Sequence, residues 1–365
     1  MAPLYLGLIS GTSADGIDAA IVRFEPHCEV VGALTHPYPE SLRARVLALA
    51  TSSATIALDD YGALDVAIGA AFADAANALL ANTGIDRNAV AAIGSHGQTV
   101  RHRPSGEHPF TLQIGDATVI AERTRITTIA DFRRADVAAG GQGAPLLPAL
   151  HAAVFASDRT RIVLNLGGIA NITVLAPGRD VLGFDTGPAN CLLDAWAHRH
   201  RGTARDEGGA WAKSGRVDRD QLAAFASDPY FAAPPPKSTG REHFNLDWLD
   251  ARLRARVAPE DVQATLLALS ADTIANAIRT TAPDAREVFA CGGGVHNPAL
   301  MAAIAERVAP ATLASTAVLG LDPDYVEAAG FAWLARARLA NAPGNLPAVT
   351  GARGARILGA IHAAP

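Results

Sequence analysis

The stretch LYLGLISGTSADGIDAAIVRF, residues 4–24, contains two strand-like runs separated by a glycine-bearing turn. Residues 4–9 and 17–24 are rich in apolar and β-branched side chains, whereas SGTSADG at 10–16 consists of small, turn-forming residues. This pattern predicts a β-hairpin, and a third strand is expected over 29–34. The first part of the sequence therefore predicts a small sheet with a glycine turn at one end.

A helix and a further strand follow the hairpin, and the second half of the chain repeats this order. Apolar residues recur at helical spacing over 60–83, and a buried strand is expected over 91–94. The corresponding elements of the second half are strands over 161–166, 172–175 and 181–184, a turn at 167–171, a helix beginning near Pro259, and a strand over 287–291 that leads into three glycines. The repeated pattern predicts an α/β protein with two related domains that face each other across a cleft.

The element order also sets the expected domain boundaries. We predict an N-terminal domain over residues 1–130, completed by a tail at about 353–365 with a short strand, and a second domain over 131–352. A cleft between two domains is a common place for a small-molecule site. The segment 201–245, rich in glycine, proline and charge, is expected to shape a substrate pocket there.

The composition restricts the class of protein. With 365 residues, 49% of them hydrophobic and 18% charged, and a mean hydropathy of +0.16, the chain is globular rather than disordered or fibrous. A net charge of −5 without a basic block argues against nucleic-acid binding. Cys28, Cys191 and Cys291 are too widely spaced to predict a disulfide framework or a thiolate metal site. The one early apolar run is too short for a signal sequence or a membrane span, so a cytoplasmic protein is expected.

Three glycine-rich segments have the composition of phosphate-binding turns. SGTSADG offers backbone N–H groups and hydroxyls to an anion, and NLGGIAN at 165–171 is its counterpart in the second half. CGGGVHNP at 291–298 leaves room for a flat ring or a phosphate. Each segment alone is also a turn that needs no ligand, but two such turns at matching places would grip the phosphates of a nucleotide. The candidate nucleotide-binding residues of the second and third segments are Asn165, Gly167, Gly168, Asn171, Gly292, Gly293, Gly294 and Asn297.

Asp185 in GFDTGPAN follows an apolar strand and precedes a turn that opens a helix. Aspartate in such a place commonly caps a helix or forms an Asx turn. A carboxylate at the end of a strand that faces a cleft is also suited to act as a general base toward water or a hydroxyl. Both interpretations are open on the residues alone.

Three other polar positions are candidates for a small-molecule site, the third only if its end of the helix faces the cleft. They are Thr99 in GSHGQT, Arg133 in DFRRAD and Glu327 in DPDYVEA. Hydroxyl and amide groups near Thr99 suit sugar hydroxyls, and arginine suits a carboxylate or phosphate. The alternatives are loop residues that satisfy the backbone, a surface ion-pair cluster, and a glutamate that supports a helix dipole.

Taken together, these segments resemble the anhydro-N-acetylmuramic acid kinases, within the superfamily of sugar kinases, Hsp70 and actin. The resemblance extends from residue 9 to about residue 335 through SGTSADGID, GSHGQTVRH, LQIGD, DFRRAD, GGQGAPL, NLGGIANIT, GFDTGPAN, PPPKSTGREHFN, CGGGVHNP and DPDYVEA. Single glycine turns are weak signals, but this ordered set is specific. The resemblance implies an α/β fold of two related actin-like domains, of the ribonuclease H-like type, with ATP and substrate in the cleft between them.

The family's activity, as implied by the resemblance, is transfer of the γ-phosphoryl group of ATP to O6 of 1,6-anhydro-N-acetylmuramic acid with hydrolytic opening of the anhydro bridge. The products would be N-acetylmuramic acid 6-phosphate and ADP, in murein recycling. Asp185 would activate the attacking water, and Thr99, Arg133 and Glu327 would hold the sugar. The residues implied to contact ATP are Gly11, Thr12, Ser13, Ala14, Asp15, Gly16, Ile17 and Asp18.

Mg²⁺ is expected between the phosphates. The superfamily commonly places an aspartate two residues before the glycine of the first phosphate turn, where this chain has Ile9, so Asp15 and Asp18 both stay open as water-mediated ligands. The resemblance also implies a homodimer with a small-molecule substrate and no nucleic-acid or membrane partner. Two other hypotheses are a kinase for an ordinary hexose or amino sugar, and an ATP-driven binding protein of the Hsp70 or actin type.

Overall fold

The computed structural model describes residues 2–11, 14–50, 54–254 and 257–365. The chain divides into two compact units. Unit 1 comprises Met1–Leu150 and Tyr325–Pro365, and unit 2 comprises His151–Asp324.

These units differ from the predicted domain boundaries, because residues 131–150 and 325–352 group with unit 1. The fully buried carboxylate of Asp136 explains part of this grouping. It accepts hydrogen bonds from Asn345 Nδ2 at 2.6 Å and Thr350 Oγ1 at 2.7 Å. Residues far apart in sequence are therefore joined within unit 1.

Unit 1 is a sheet flanked by helices. Its strands are β1 (Leu4–Ser10), β2 (Ile17–Arg23), β3 (Glu29–His36), β4 (Val90–Arg103), β5 (Phe110–Ile114), β6 (Thr128–Ala130) and β12 (Ala360–His362). Its helices are α1 (Glu40–Ala50), α2 (Leu58–Thr83), α3 (Ala117–Thr124), α4 (Arg134–Ala138), α13 (Val326–Leu339) and α14 (Pro347–Thr350), with α5 (Leu147–Phe155) running across the division between the units. The strand order is β3-β2-β1-β4-β6-β12, and β5 pairs with β4.

Unit 2 has a second sheet. Its strands are β7 (Arg161–Leu166), β8 (Ile169–Leu175), β9 (Leu182–Pro188), β10 (Glu287–Cys291) and β11 (Thr312–Ser315). Its helices are α6 (Asn190–Arg201), α7 (Ala210–Ser214), α8 (Arg219–Ala226), α9 (Pro229–Ala232), α10 (Leu246–Asp250), α11 (Pro259–Thr281) and α12 (Pro298–Val308). Short 3-10 helices occur at Arg87–Ala89 in unit 1 and at Glu207–Gly209, Gly293–His296 and Thr316–Leu319 in unit 2.

The two sheets share one topology. In unit 2 the order is β9-β8-β7-β10-β11, which corresponds to β3-β2-β1-β4-β6 in unit 1. In both units the first three strands pair antiparallel and the remaining two pair parallel. The predicted pair of related actin-like, ribonuclease H-like α/β folds is confirmed.

Two glycines let α13 pack directly on the sheet of unit 1. A Cβ atom at Gly7 would lie 1.7 Å from the carbonyl oxygen of Ala328, and one at Gly94 would lie 2.0 Å from that of Phe331. Any side chain at either glycine would push the helix away. This contact fixes the first turn of α13, where Glu327 lies as predicted.

The long helix α2 covers the other face of this sheet. By length and mean hydropathy it would pass as a membrane-spanning segment. Its residues Leu64, Ile68, Phe72 and Leu79 are instead buried in the core of unit 1. The apolar helix is therefore a core element of unit 1.

Candidate active site

The first glycine turn joins β1 to β2 in unit 1. Gln98 Nε2 donates to the carbonyl oxygen of Gly11 at 3.2 Å, and Arg43 donates both to the carbonyl oxygen of Ala14 and to the carboxylate of Asp15, at 3.1 and 2.8 Å. Ala14 is fully buried with a φ of +49°. Side chains from β4 and α1 thus hold the turn in shape. Thr12 and Ser13, expected to contact ATP, lie outside the described residues.

Asp18 lies where this turn enters β2. It is paired with Ile9 on one side and with Thr35 on the other, and the Thr35 hydroxyl donates to its carboxylate at 2.6 Å. Gly16 lies next to the same neighbour, since a Cβ there would be 2.6 Å from the methyl group of Thr35. The carboxylate of Asp18 therefore lies at the end of the sheet, beside the turn.

Arg133 lies in the same unit at the centre of a group of polar contacts. Arg133 donates from Nε to His96 Nε2 at 3.0 Å and from Nη1 to the carbonyl oxygen of Gly143 at 2.7 Å. Burial lowers the pKa of Arg133 to about 10, against the opposing charges of Glu327 and Asp136, so the guanidinium stays protonated at neutral pH. Glu327 and Asp136 thus act electrostatically on Arg133, and sugar binding by Arg133 and Glu327 stays a prediction.

His96 accepts that hydrogen bond as a neutral imidazole. Burial, followed by the charge of Arg133, lowers the pKa of His96 well below its usual value. Its ring packs on Phe331 at 4.7 Å between centroids, one turn after Glu327 in α13. The imidazole therefore orients Arg133 and adds no charge.

Thr99 lies three residues further along β4. Its hydroxyl accepts from Gln113 Nε2 at 3.1 Å, and the same amide donates to Thr111 at 2.8 Å. The strand predicted over 91–94 is longer in the structure: β4 continues to Arg103, because β5 pairs with it from Gln98 onward. Thr99 therefore lies within a strand, and its side chain is partly exposed.

In unit 2 three of the predicted site residues form one row across the sheet together with Cys291. Cys291, Asn165, Asn171 and Asp185 are directly paired on β10, β7, β8 and β9. Paired residues on neighbouring strands point to the same face. A pairing irregularity skips Thr186 and brings Asp185 opposite Asn171. The expectation that Asp185 follows its strand is therefore wrong, since the residue lies within β9.

The environment of Asp185 is that of a positioned carboxylate. Its Oδ2 atom accepts from the Thr239 backbone N–H at 2.9 Å and from Ser238 Oγ at 3.0 Å, whereas Oδ1 has no partner among the described residues. Burial raises the pKa of Asp185, and these two hydrogen bonds oppose the rise. One oxygen is held in place and the other is available to a proton.

The backbone of Asp185 is fixed as well. Its N–H donates to the carbonyl oxygen of Lys237 at 3.1 Å, and the Tyr230 hydroxyl donates to its carbonyl oxygen at 2.7 Å. Lys237 in turn donates to the carbonyl oxygens of Tyr230 and Phe231, at 2.8 and 3.1 Å. The partners of Asp185 therefore come from the segment 230–239, which the sequence analysis assigned only to pocket shape.

The two glycine segments of unit 2 lie against each other. A Cβ at Gly292, whose φ is +81°, would be 2.4 Å from Asn165 Oδ1, and one at Gly294 would be 2.6 Å from Leu166 Cβ. The carbonyl oxygens of Gly167 and Gly168 accept from the first N–H groups of α6. Asn297, expected to contact the nucleotide, uses its side-chain oxygen to cap α12. A side chain at either glycine of this pair would close the space between the segments.

The carboxylates near the first turn suit Mg²⁺ only as a minor part of its coordination shell. Among the described residues, no group of three or more His, Cys, Asp or Glu side chains forms a metal cage. Mg²⁺ in kinases commonly uses one or two carboxylates and completes its shell with phosphates and water. Asp15 and Asp18 fit that requirement, although Asp15 is already paired with Arg43.

The family model and the curated relatives that this chain matches agree on one family. Residues 3–364 match the model of the family described as anhydro-N-acetylmuramic acid kinase. The kinase of that name from Xanthomonas campestris is 57% identical over 99% of this chain and 98% of its own length, and the one from Xylella fastidiosa is 55% identical over 100% and 97%. Among solved structures, the activator of 2-hydroxyisocaproyl-CoA dehydratase from Clostridium difficile has a TM-score of 0.46 at 14% identity, over 93% of this chain and 97% of that one.

Proposed function

Since the chain belongs to the anhydro-N-acetylmuramic acid kinase family, we propose that it phosphorylates O6 of 1,6-anhydro-N-acetylmuramic acid with ATP and opens the anhydro bridge by hydrolysis. The products are N-acetylmuramic acid 6-phosphate and ADP. The place of the reaction is murein recycling in the cytoplasm, and the working unit is a homodimer that binds neither nucleic acid nor membrane.

The environment of Asp185 carries this proposal. An ordinary sugar kinase needs a base only for an acceptor hydroxyl, whereas opening the bridge needs a base for water. Asp185 offers one free oxygen, Oδ1, on a carboxylate that is partly desolvated and fixed by Ser238 and Thr239. Such a group takes a proton from water without moving.

The bonds of the proposed reaction balance as follows. Water attacks the anomeric carbon and gives a proton to Asp185, while the bond from that carbon to O6 breaks. O6 forms a bond to the γ-phosphorus of ATP, and ADP leaves. Because the carboxylate activates water directly and forms no glycosyl ester, the anomeric carbon inverts.

We assign the remaining residues by their chemistry. Arg133, kept protonated, and Glu327 bind polar groups of the sugar together with the hydroxyl of Thr99. The turns at 11–18, 165–171 and 292–294 bind the nucleotide through backbone N–H groups. Mg²⁺, when bound beside Asp15 or Asp18, neutralises phosphate charge.

The test is product analysis in ¹⁸O-labelled water with Mg-ATP and 1,6-anhydro-N-acetylmuramic acid. We expect ADP and a sugar phosphate with one labelled oxygen at the anomeric carbon. Unlabelled N-acetylmuramic acid 6-phosphate, incubated in the same water for the same time, measures label entry by exchange alone. Turnover of N-acetylmuramic acid or N-acetylglucosamine without turnover of the anhydrosugar would contradict the proposal and indicate an ordinary sugar kinase.

A further inference from the structure

The guanidinium group of Arg241 lies against the second glycine turn. A Cβ atom at Gly168 would be 3.2 Å from Nε and 3.3 Å from Nη2 of Arg241. These distances place the guanidinium group beside the Gly167–Gly168 turn, where a side chain at Gly168 would crowd it. Both residues belong to unit 2.

Arg241 has a charge without a partner. Within the described residues its side chain makes no hydrogen bond and no ion pair, and it is exposed. Arg241 forms no ion pair with the nearby Asp194, but its charge acts on that carboxyl. Burial raises the pKa of Asp194 to about 6, and Arg241 opposes that rise more than Arg205 does. By contrast, Arg205 is paired with Glu207 at 2.8 Å. A guanidinium that offers five unused N–H donors beside a phosphate-type turn is suited to an anion.

The backbone on both sides of Arg241 is fixed. Before it, the Thr239 N–H is bonded to Asp185. After it, the N–H groups of His243 and Phe244 donate to the carbonyl oxygen of Gly240 at 3.1 and 3.0 Å, and the ring of Phe244 is buried in the core of unit 2. The backbone that carries Arg241 is therefore held on both sides by contacts within unit 2.

We propose that Arg241 binds a phosphate oxygen of the nucleotide at the Gly167–Gly168 turn. This inference rests on the proposed function and adds a residue to it. Arginine pairs with phosphate through two parallel N–H donors, which fixes both the position and the charge of the group. The hydroxyl of Thr239, buried and without a partner among the described residues, lies two residues away as a second available polar group.

The experiment measures nucleotide affinity by calorimetry with a non-hydrolysable ATP analogue and with adenosine, in the absence of sugar. Arg241→Ala should weaken binding of the triphosphate about tenfold or more and leave adenosine binding unchanged, because hydrogen bonds to charged groups are stronger than those between neutral groups. The triphosphate affinity of Arg241→Lys should lie between those of the unmodified protein and Arg241→Ala, because lysine keeps the charge but loses the two parallel N–H donors. Arg219→Ala, which removes another exposed arginine of unit 2 that has no partner in the described residues, is the matched control.

A second variant tests the contact itself. Gly168→Ala places a methyl group 3.2–3.3 Å from Nε and Nη2 of Arg241, a tight contact that makes the guanidinium shift. It should therefore weaken binding of the triphosphate analogue in the same direction, although by less than Arg241→Ala. Triphosphate affinity unchanged in Arg241→Ala would overturn the inference. So would a loss confined to the KM of the sugar, because the anion bound would then be a carboxylate of the sugar. Binding is measured without sugar, so these outcomes are independent of whether the anhydrosugar is the substrate.

Discussion

The backbone N–H of Thr239 and the carboxylate of Asp185 are joined by a hydrogen bond of 2.9 Å, and the hydroxyl of Ser238 donates to the same carboxylate oxygen at 3.0 Å. Two donors on one oxygen orient the carboxyl plane and favour its charged form. Burial acts in the opposite direction and raises the pKa. The balance leaves Asp185 a stronger base than an exposed aspartate, with Oδ1 free for a proton.

Replacing the carboxylate should stop the reaction and spare the fold. Asp185→Asn is nearly isosteric, so the side chain keeps its shape and position. The amide is too weak a base to take a proton from water. We expect kcat to fall by about 10²–10⁴, with the affinity for ATP changed less than threefold, or roughly 0.6 kcal/mol. Steady-state kinetics and calorimetry measure the two quantities, and Asp180→Asn, at an exposed position of unit 2, is the control. Turnover near that of the unmodified enzyme would remove Asp185 as the base.

Loss of the Ser238 hydroxyl should change the pH dependence of the reaction. Because the hydroxyl donates to the charged form of Asp185, its removal raises the pKa of the carboxyl, so more of the base is protonated at low pH. In Ser238→Ala the acid limb of the kcat/KM profile should move to higher pH by about 0.5–1 unit, with a smaller effect on the plateau. Ser227→Ala removes a hydroxyl that bonds only to the carbonyl oxygen of Ala224, and should leave the limb in place. A limb that moves to lower pH would contradict this account of the site.

Much of the fold was predictable because local patterns agree with the final structure. The hairpin of β1 and β2, the helix α2 and the helix α11 occur close to their predicted bounds. The signals that predict these elements, the spacing of apolar residues and the glycines or prolines at the ends, are local in the sequence. β4 was predicted at less than half its length, because its second part is stabilised by β5, which pairs with it from a separate segment. Short strands such as β6 carry too few residues for a pattern.

The candidate site was predictable in its residue types and less so in its contacts. Asp185, Arg133 and Glu327 occur in motifs that suggested polar chemistry. The partners Ser238 and Thr239 are more than 50 residues from Asp185, and the irregularity that skips Thr186 has no local signature. Such contacts depend on how segments that are distant in sequence pack together, and the spacing of residues along the chain does not predict that packing.

The buried carboxylate of Asp136 should be important for the stability of unit 1. It accepts from the Gly143 N–H at 2.7 Å as well as from Asn345 and Thr350, so Asp136→Ala would remove the acceptor of three buried donors. Asn345 Nδ2 and Thr350 Oγ1 would keep only longer contacts of 3.4 Å to backbone carbonyl oxygens. We expect a loss of about 3–5 kcal/mol in the free energy of unfolding. Urea denaturation followed by circular dichroism measures it, with Asp59→Ala at an exposed position of α2 as the control. A loss below 1 kcal/mol would mean that water replaces the carboxylate at this place.

The contact between β1 and α13 predicts opposite effects for one substitution at two glycines. In Gly7→Ala the new Cβ would overlap the carbonyl oxygen of Ala328 at 1.7 Å, so α13 has to move away from the sheet and carry Glu327 with it. We expect severe destabilisation, more than about 3 kcal/mol, and any folded fraction should show a raised KM for the sugar. A Cβ atom added at Gly62, within α2, would meet no other atom within 4 Å. Gly62→Ala should therefore stabilise the protein by about 0.5–1 kcal/mol. Thermal and urea unfolding measure the change in the free energy of unfolding for Gly7→Ala and Gly62→Ala. Equal changes for the two variants would contradict the direct packing of α13 on β1.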